Sequence, residues 1–232
     1  MNAMSGRISG ISSMATRALL TELAADYRQQ RGVAVVFESV GGVDAARRVQ
    51  AGEAFDLVVL ASDAVDRLAA SGHVLGASKV DLVSSGVAVA VRAGAPQPDI
   101  GTEAALRQAL LAARSIGYST GPSGVQLIAL FERWGIAETL RDRLVQAPAG
   151  IPVGALVARG EVALGFQQIS ELMHLDGIQV VGPLPPAVQI VTVFSAAVCS
   201  TCQQPAAAGE LLDFLMSPQA AEAKRRHGMA PG

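Results

Sequence analysis

The sequence predicts an α/β protein built from two small lobes. Short β-rich runs alternate with amphipathic helical patterns along most of the 232-residue chain, which is typical of parallel sheets covered by helices on both faces. Half of the residues are hydrophobic and 16% are charged, so the chain has enough apolar side chains for a large core. Two long β-branched runs have no helix directly after them, as expected of strands that cross from one sheet to another.

Eight strands are predicted from short runs of β-branched and aliphatic residues: Arg7–Ile11, Val33–Phe37, Leu57–Leu60, Val87–Val91, Ser115–Tyr118, Val162–Phe166, Gln179–Val181 and Val188–Phe194. Between them, aliphatic residues recur at helical spacing and predict helices with one apolar face. The clearest of these helices begins near Leu19. In the last helical region, Ser217 and Pro218 separate two helices, because proline is tolerated in a first helical turn but not in mid-helix.

The two long β-branched runs, Val83–Val91 and Val188–Ala197, determine the predicted domain organisation. If both connect two sheets, residues 1–86 and 195–232 form the first lobe and residues 87–194 form the second. The Pro-rich stretch Gly182–Pro186 is then a loop before the returning strand rather than a linker between domains.

The amino-acid composition excludes some classes of binding partner for this protein. Aromatic residues make up 4% of the chain and the formal net charge is -2, which provides few stacking surfaces and no basic field for nucleic acid. The apolar run Ile190–Cys199 is far shorter than the ~20 residues of a membrane helix. Residues Met1–Gly10 show no signal-peptide pattern. We therefore predict a small-molecule partner, without nucleic acid and without membrane insertion.

Cys199 and Cys202 form a C-x-x-C pattern that has three interpretations: a redox pair, a short-range disulfide or two inert thiols. The rest of a thioredoxin unit is missing, and the next helix begins late, near Ala206, so the last two interpretations are favoured. The three histidines are scattered and complete no tetrahedral zinc set. We predict neither a metal site nor a cofactor.

Three turns share one design, in which a strand ends, a Ser/Gly cluster follows and a helix begins. At such a turn the first backbone N–H groups of the helix lack internal partners and carry partial positive charge. Small residues let a ligand approach these groups, and a serine hydroxyl can donate beside them. Each turn can also be explained by ordinary helix capping. The turns are Gly10–Ser13, Ser39–Gly42 and Gly121–Gly124.

Three charged residues near these turns have local explanations. Arg17 lies about one helical turn after the first of them, and is either a solvated side chain or one that reaches a larger anion. Glu38 either repels anions or pairs with Arg47 or Arg48. Asp56 precedes a buried strand, and we expect it to have a structural rather than a catalytic role.

The order of these motifs resembles the molybdate-binding family of periplasmic solute-binding proteins. The resemblance extends over nearly the whole chain, and the order and spacing of its segments are more specific than any one of them. The segments are Ser12 and Ser13, Phe37–Ser39, Gly52–Ser62, Gly121–Gly124, Arg159–Phe166 and Leu212–Ala220.

The resemblance implies a type II periplasmic-binding fold, in which two α/β lobes are joined by two crossing hinge strands and close over an oxyanion in the cleft between them. It also implies a periplasmic monomer that binds molybdate or tungstate with neutral donors and serves an ABC-type permease; a cytoplasmic location is the alternative. The ligand-binding residues carried over are Ser12 or Ser13, Ser39, Ser123 with Gly124, backbone near Gly150 or Ile151, and Gln168.

This sequence departs from the family pattern in its second lobe. The family usually has a tyrosine hydroxyl where this chain has Gln167 and Gln168, and an amide presents an acceptor as well as a donor. Ser123 stands where alanine is commoner in the family. Both substitutions make the pocket more polar, so binding or sensing of a small organic acid is the alternative function.

One motif in the sequence favours an enzyme rather than a binding protein. Gly117–Gly121 fits the G-x-S-x-G pattern of a serine hydrolase, with Ser119 as nucleophile. In that pattern the helix starts directly after the serine, whereas Pro122 places its start three residues later. The sequence analysis therefore predicts that the protein is not an enzyme and keeps the hydrolase as a lower-ranked alternative.

Overall fold

The structure is a computed structural model that describes residues 7–232. Its internal contacts divide the chain into two compact units. Unit 1 contains the chain up to Ser84 together with Val193–Gly232, and unit 2 contains Ser85–Thr192. The divisions predicted from the sequence lie after residues 86 and 194.

The first part of the chain alternates strands and helices. It contains β1 (Ile8–Ser13), α1 (Arg17–Arg31), β2 (Val35–Val40), α2 (Gly42–Gln50), β3 (Leu57–Ala61), α3 (Ser62–Ala70) and β4 (Val80–Arg92). Strand β4 begins in unit 1 and ends in unit 2. Single 3₁₀ turns occur at Met14–Thr16 and Gly76–Ser78.

The rest of unit 2 has shorter elements. They are α4 (Glu103–Ala112), β5 (Ile116–Tyr118), α5 (Pro122–Arg133), α6 (Ala137–Leu140), β6 (Leu144–Gln146), α7 (Val153–Ala158), β7 (Leu164–Gln168), α8 (Ile169–Leu172) and β8 (Ile178–Pro183). Single 3₁₀ turns occur at Arg141–Arg143 and Pro186–Val188. The sequence analysis missed β6, because a strand of three residues is too short to show a period.

The chain returns to unit 1 through β9 (Val191–Val198) and ends with α9 (Pro205–Met216), α10 (Pro218–Arg226) and β10 (Ala230–Pro231). The predicted break between the last two helices is confirmed, since Ser217 ends one and Pro218 begins the next. Among residues 7–232, no helix combines the length and the apolar character needed to cross a membrane.

Each unit has its own mixed sheet. In unit 1, β1 lies between β2 and β3 and runs parallel to both, while β9 pairs antiparallel with β3. In unit 2, β5 lies between β6 and β7 in parallel, while β4 pairs antiparallel with β7 and β8. Both sheets are mixed because the strands that carry the chain between the units run antiparallel to their neighbours.

Apolar side chains cover both faces of the sheet in unit 1. Alternate residues of β3 join different clusters: Val59 packs with α1 and α9, whereas Leu60 packs with α2 and α3. Unit 2 has a main cluster around Leu106 and Phe131, both fully buried. Truncating such a core leucine to alanine typically costs about 2 to 5 kcal/mol. These cores hold the carboxyl ends of the parallel strands in place, and the predicted site residues lie at or just after those ends.

Candidate functional site

The first two predicted ligand serines lie side by side in unit 1. Ser12 and Ser39 occupy the same register position of β1 and β2, at the carboxyl ends of both strands. Their hydroxyl oxygens are 2.8 Å apart, and Ser12 is fully buried. Parallel pairing thus brings together two hydroxyls that are far apart in the sequence, at the edge where α/β sheets bind ligands.

Ser13 is a buried donor without a partner. Its side chain is 7% exposed, and among residues 7–232 no group lies within hydrogen-bonding distance of Ser13 Oγ. A Cβ built on Gly42 would lie 3.8 Å from Ser13 Cβ, so the Ser13 side chain lies beside the first residue of α2. That helix has no side-chain cap. Ser12, Ser13 and Ser39, together called the serine cluster, therefore offer donors to an anion.

The charged residues around the serine cluster are mostly paired with one another. Arg48 binds Glu38 with Nη1–Oε1 at 2.5 Å, and Arg47 pairs with Asp44. The guanidinium of Arg48 lowers the pKa of the Glu38 carboxyl. Arg17 is exposed at the start of α1. The prediction that Glu38 pairs with a nearby arginine is confirmed.

Asp56 has the structural role expected of it. Its Oδ2 accepts hydrogen bonds from the Ser9 backbone N–H at 2.8 Å and from Gln204 Nε2 at 3.1 Å. Burial raises the pKa of Asp56, but these hydrogen bonds and one from Cys202 outweigh it, so the pKa is lowered. Cys199 and Cys202 are free thiols, and burial raises the pKa of Cys199 to about 12. The Asp56 carboxylate thus connects β1 to the segment after β9.

In unit 2, the turn after β5 holds two serines together. Ser119 Oγ and Ser123 Oγ are 3.2 Å apart, and Ser123 is in the first turn of α5. The helix begins at Pro122, as predicted, so Ser119 is not on the sharp strand-to-helix turn of a serine hydrolase. A Cβ on Gly124 would lie 1.8 Å from the Ser119 carbonyl oxygen. Only glycine allows this turn to pack so closely.

Two other predicted ligands already have partners within unit 2. The Ile151 N–H donates to the Pro148 carbonyl at 3.0 Å. Gln168 is 3% exposed, and its amide accepts from Thr192 Oγ1 at 2.7 Å and donates to the Ser85 carbonyl at 2.9 Å. A ligand role for either residue stays a prediction. In this structure Gln168 connects the end of β7 to the two segments through which the chain enters and leaves unit 2.

The neighbouring glutamine makes a different connection, to an acid that the sequence analysis missed. Gln167 Nε2 donates to Glu171 Oε1 at 2.7 Å, and the Gly154 N–H donates to Gln167 Oε1 at 3.3 Å. Burial raises the pKa of Glu171 to about 7, although the hydrogen bond from Gln167 lowers it. Gln167 and Glu171 lie four residues apart, and a glutamine and an acid at that spacing form no distinctive pattern in the sequence.

The fold is that of a periplasmic binding protein. The periplasmic molybdate-binding protein of Azotobacter vinelandii matches with a TM-score of 0.81 at 20% identity, covering 97% of this chain and 99% of that one. The predicted α/β fold class is thus confirmed.

The family follows from the sequence comparison. The family described as "Bacterial extracellular solute-binding protein" matches residues 8–230, and the chain belongs to it. The molybdate-binding protein ModA of Escherichia coli is 24% identical, covering 96% of this chain and 88% of that protein. The resemblance found in the sequence motifs is confirmed.

A third comparison corrects the sequence analysis. Aconitate isomerase of Pseudomonas sp is 40% identical over 227 residues, which are 95% of this chain and 86% of that protein. The prediction that the protein is not an enzyme is wrong on this finding. An enzyme that uses neither a nucleophile nor a metal ion leaves no motif of this kind in the sequence.

Proposed function

We propose that this protein binds a small unsaturated polycarboxylate and interconverts its isomers. The observation that carries the proposal is the 40% identity, over nearly the whole chain, to a protein named aconitate isomerase. Aconitate is a tricarboxylate with one carbon–carbon double bond. The proposal also agrees with the polar departures, Ser123 and Gln168, that made an organic acid the alternative to a bare oxyanion.

The serine cluster supports binding of a carboxylate. Its donors are neutral, and the hydroxyl of Ser13 is buried without a hydrogen-bond partner in the described part of the chain, which costs about 1 to 3 kcal/mol in the free protein. A carboxylate oxygen would offset this cost by accepting that hydrogen bond. Hydrogen bonds to charged groups are shorter and stronger than those between neutral groups.

The reaction requires proton transfer rather than a nucleophile. A double bond flanked by carboxylates migrates when a proton leaves the adjacent methylene carbon and a proton is added at the far alkene carbon. Such a shift exchanges the isomers without any net change in atoms or electrons. The protein must therefore supply neutral donors for the carboxylates and one group that accepts and returns a proton.

Proton NMR of trans-aconitate incubated with the purified protein tests this function. We expect cis-aconitate to form until the same isomer ratio is reached from either side. A matched reaction with the Ser13→Ala and Ser39→Ala double variant should approach that ratio more slowly. Absence of conversion by wild-type protein that binds trans-aconitate would reject the isomerase and leave an organic-acid binder.

An oxyanion receptor is the second candidate, and the Ser12–Ser39 hydroxyl pair favours it. Neutral donors suit a fully deprotonated anion such as molybdate, because a protonated ligand would place a donor against a donor. This candidate includes the periplasmic location, the monomeric state, the ABC permease and ligand-driven closure about the two joining strands. Small-angle scattering would detect closure as a smaller radius of gyration.

A thermal-shift screen separates the two candidates. Ligand-stripped protein is heated with molybdate, tungstate, sulfate, trans-aconitate and tricarballylate, a saturated tricarboxylate. A large rise in Tm with the tricarboxylates alone supports an organic-acid site, which the isomerase requires and which the NMR experiment then tests for turnover. A rise with molybdate and tungstate alone supports the oxyanion receptor.

A further inference from the structure

We propose that Glu171 is the catalytic residue that carries the proton between the two carbons of the substrate, and that Gln167 positions its carboxyl group. This inference rests on the proposed isomerase function and names the group that the reaction requires. It stands on a chain of three hydrogen-bonded groups in unit 2, running from the Gly154 N–H through the Gln167 amide to Glu171.

Hydrogen bonds at both the oxygen and the nitrogen of the Gln167 amide determine its orientation. Its amide is 3% exposed, and its oxygen accepts from the backbone at the start of α7, so its nitrogen faces Glu171. The amide thus donates to Glu171 Oε1, while Glu171 keeps partial contact with solvent in the first turn of α8. A carboxyl group held at one oxygen has its other oxygen available for a proton.

The surroundings of Glu171 keep the pKa of its carboxyl group close to neutral pH. Helix α8 packs on β4, β7 and β8. Neither β7 nor β8 contains an ionisable side chain, nor does α7 beside Gly154, and the ionisable residues of β4 are Asp81 and Arg92 near its two ends. The ionisable residues of the adjoining turn are His174 and Asp176. Burial raises the pKa of Glu171 to about 7. A carboxyl group with this pKa serves both as a base and as an acid near neutral pH.

Each step is balanced. The Glu171 carboxylate takes a proton from the methylene carbon, and the electron pair of that C–H bond delocalises over the three-carbon unit and its carboxylates. The original double bond shifts as the protonated Glu171 returns a proton to the far carbon. The carboxyl group ends the cycle as a carboxylate, so no oxidant, reductant or second base is consumed.

The Glu171→Gln variant tests the catalytic role, with Glu161→Gln as its control. Glu161 lies in the same unit, is half exposed and pairs with Arg159. We expect Glu171→Gln to lower kcat at least about 100-fold, in line with the loss of a general acid–base group. Its affinity for tricarballylate, measured by calorimetry, should stay within a few-fold of wild type. Glu161→Gln should match wild type in both.

The experiments distinguish failure of the Glu171 role from failure of the proposed isomerase function. If wild-type protein does not isomerise trans-aconitate, the proposed function fails. If wild type is active and Glu171→Gln turns over equally fast, Glu171 is not the proton carrier. A Glu171→Asp variant guards against a folding defect, since its carboxyl group should restore part of the activity and of the exchange of substrate hydrogen with D₂O.

The positioning role of Gln167 has its own readout. The hydrogen bond from Gln167 lowers the pKa of Glu171, so Gln167→Met should move the midpoint of the pH profile of kcat/KM upward. Affinity for tricarballylate should change little. A fall in kcat with an unmoved midpoint would show that Gln167 has only a packing role.

Discussion

Ser12 Oγ and Ser39 Oγ lie 2.8 Å apart, at one register position of two parallel strands. Each hydroxyl can donate to only one acceptor at a time, so an anion that displaces their mutual bond gains both donors. We expect Ser39→Ala to weaken ligand binding by about 1 to 3 kcal/mol, measured by calorimetry. Thr21→Ala is the control, because Thr21 is exposed on α1 and its hydroxyl donates to the Arg17 carbonyl of the same helix. Equal affinities in all three proteins would place the site elsewhere.

Ser13 should behave differently in free and bound protein. Ser13→Ala removes a buried hydroxyl that has no partner among residues 7–232, so the free protein should gain up to about 1 kcal/mol of stability. The same variant should show a smaller ligand-induced rise in Tm than wild type, because a donor is lost from the bound state. Both values come from one thermal-shift series. A fall in the stability of the free protein would mean that the hydroxyl has a structural partner.

Glu171 makes a specific contribution to the pH dependence of folding. Its pKa is raised from 4.5 to about 7, so the folded state holds this proton more tightly than the unfolded state. Its favourable contribution is complete below the unfolded pKa and is lost as pH rises through about 7. Between these limits the free energy of unfolding of wild type should fall by about 1 to 3 kcal/mol more than that of Glu171→Gln, measured by urea unfolding. Parallel pH profiles for the two proteins would contradict the raised pKa.

Gly124 is required by close packing. A methyl group there would lie 1.8 Å from the Ser119 carbonyl oxygen, so Gly124→Ala must displace backbone and should destabilise the protein by about 1 to 3 kcal/mol. Gly209→Ala is the matched control in α9, since a Cβ at Gly209 meets nothing within 4 Å. That control should gain about 0.5 to 1 kcal/mol through helix propensity. Urea unfolding of the two variants measures the difference in their stability. Equal stabilities would refute the close contact at Gly124.

Part of the site could be predicted because it follows local patterns. The serines at the ends of β1 and β2 and after β5 are recognisable, because a Ser/Gly cluster between a strand and a helix indicates an exposed amino end of that helix. Glu171 was missed because a single acid at the start of a short helix has no distinctive pattern. For Gln168, the sequence identified a polar residue at the right strand end, but the bonds of its amide to Ser85 and Thr192 depend on segments distant in the chain.

The sequence by itself determined the alternation of strands and helices, the break at Pro218, the family and the strand ends that hold the candidate donors, because periodicity and turn chemistry are local properties. Only the tertiary structure decided which hydroxyls meet, which amides already have partners and which carboxyl group has a pKa near 7. Those properties depend on register between strands and on removal of water by residues far apart in the sequence.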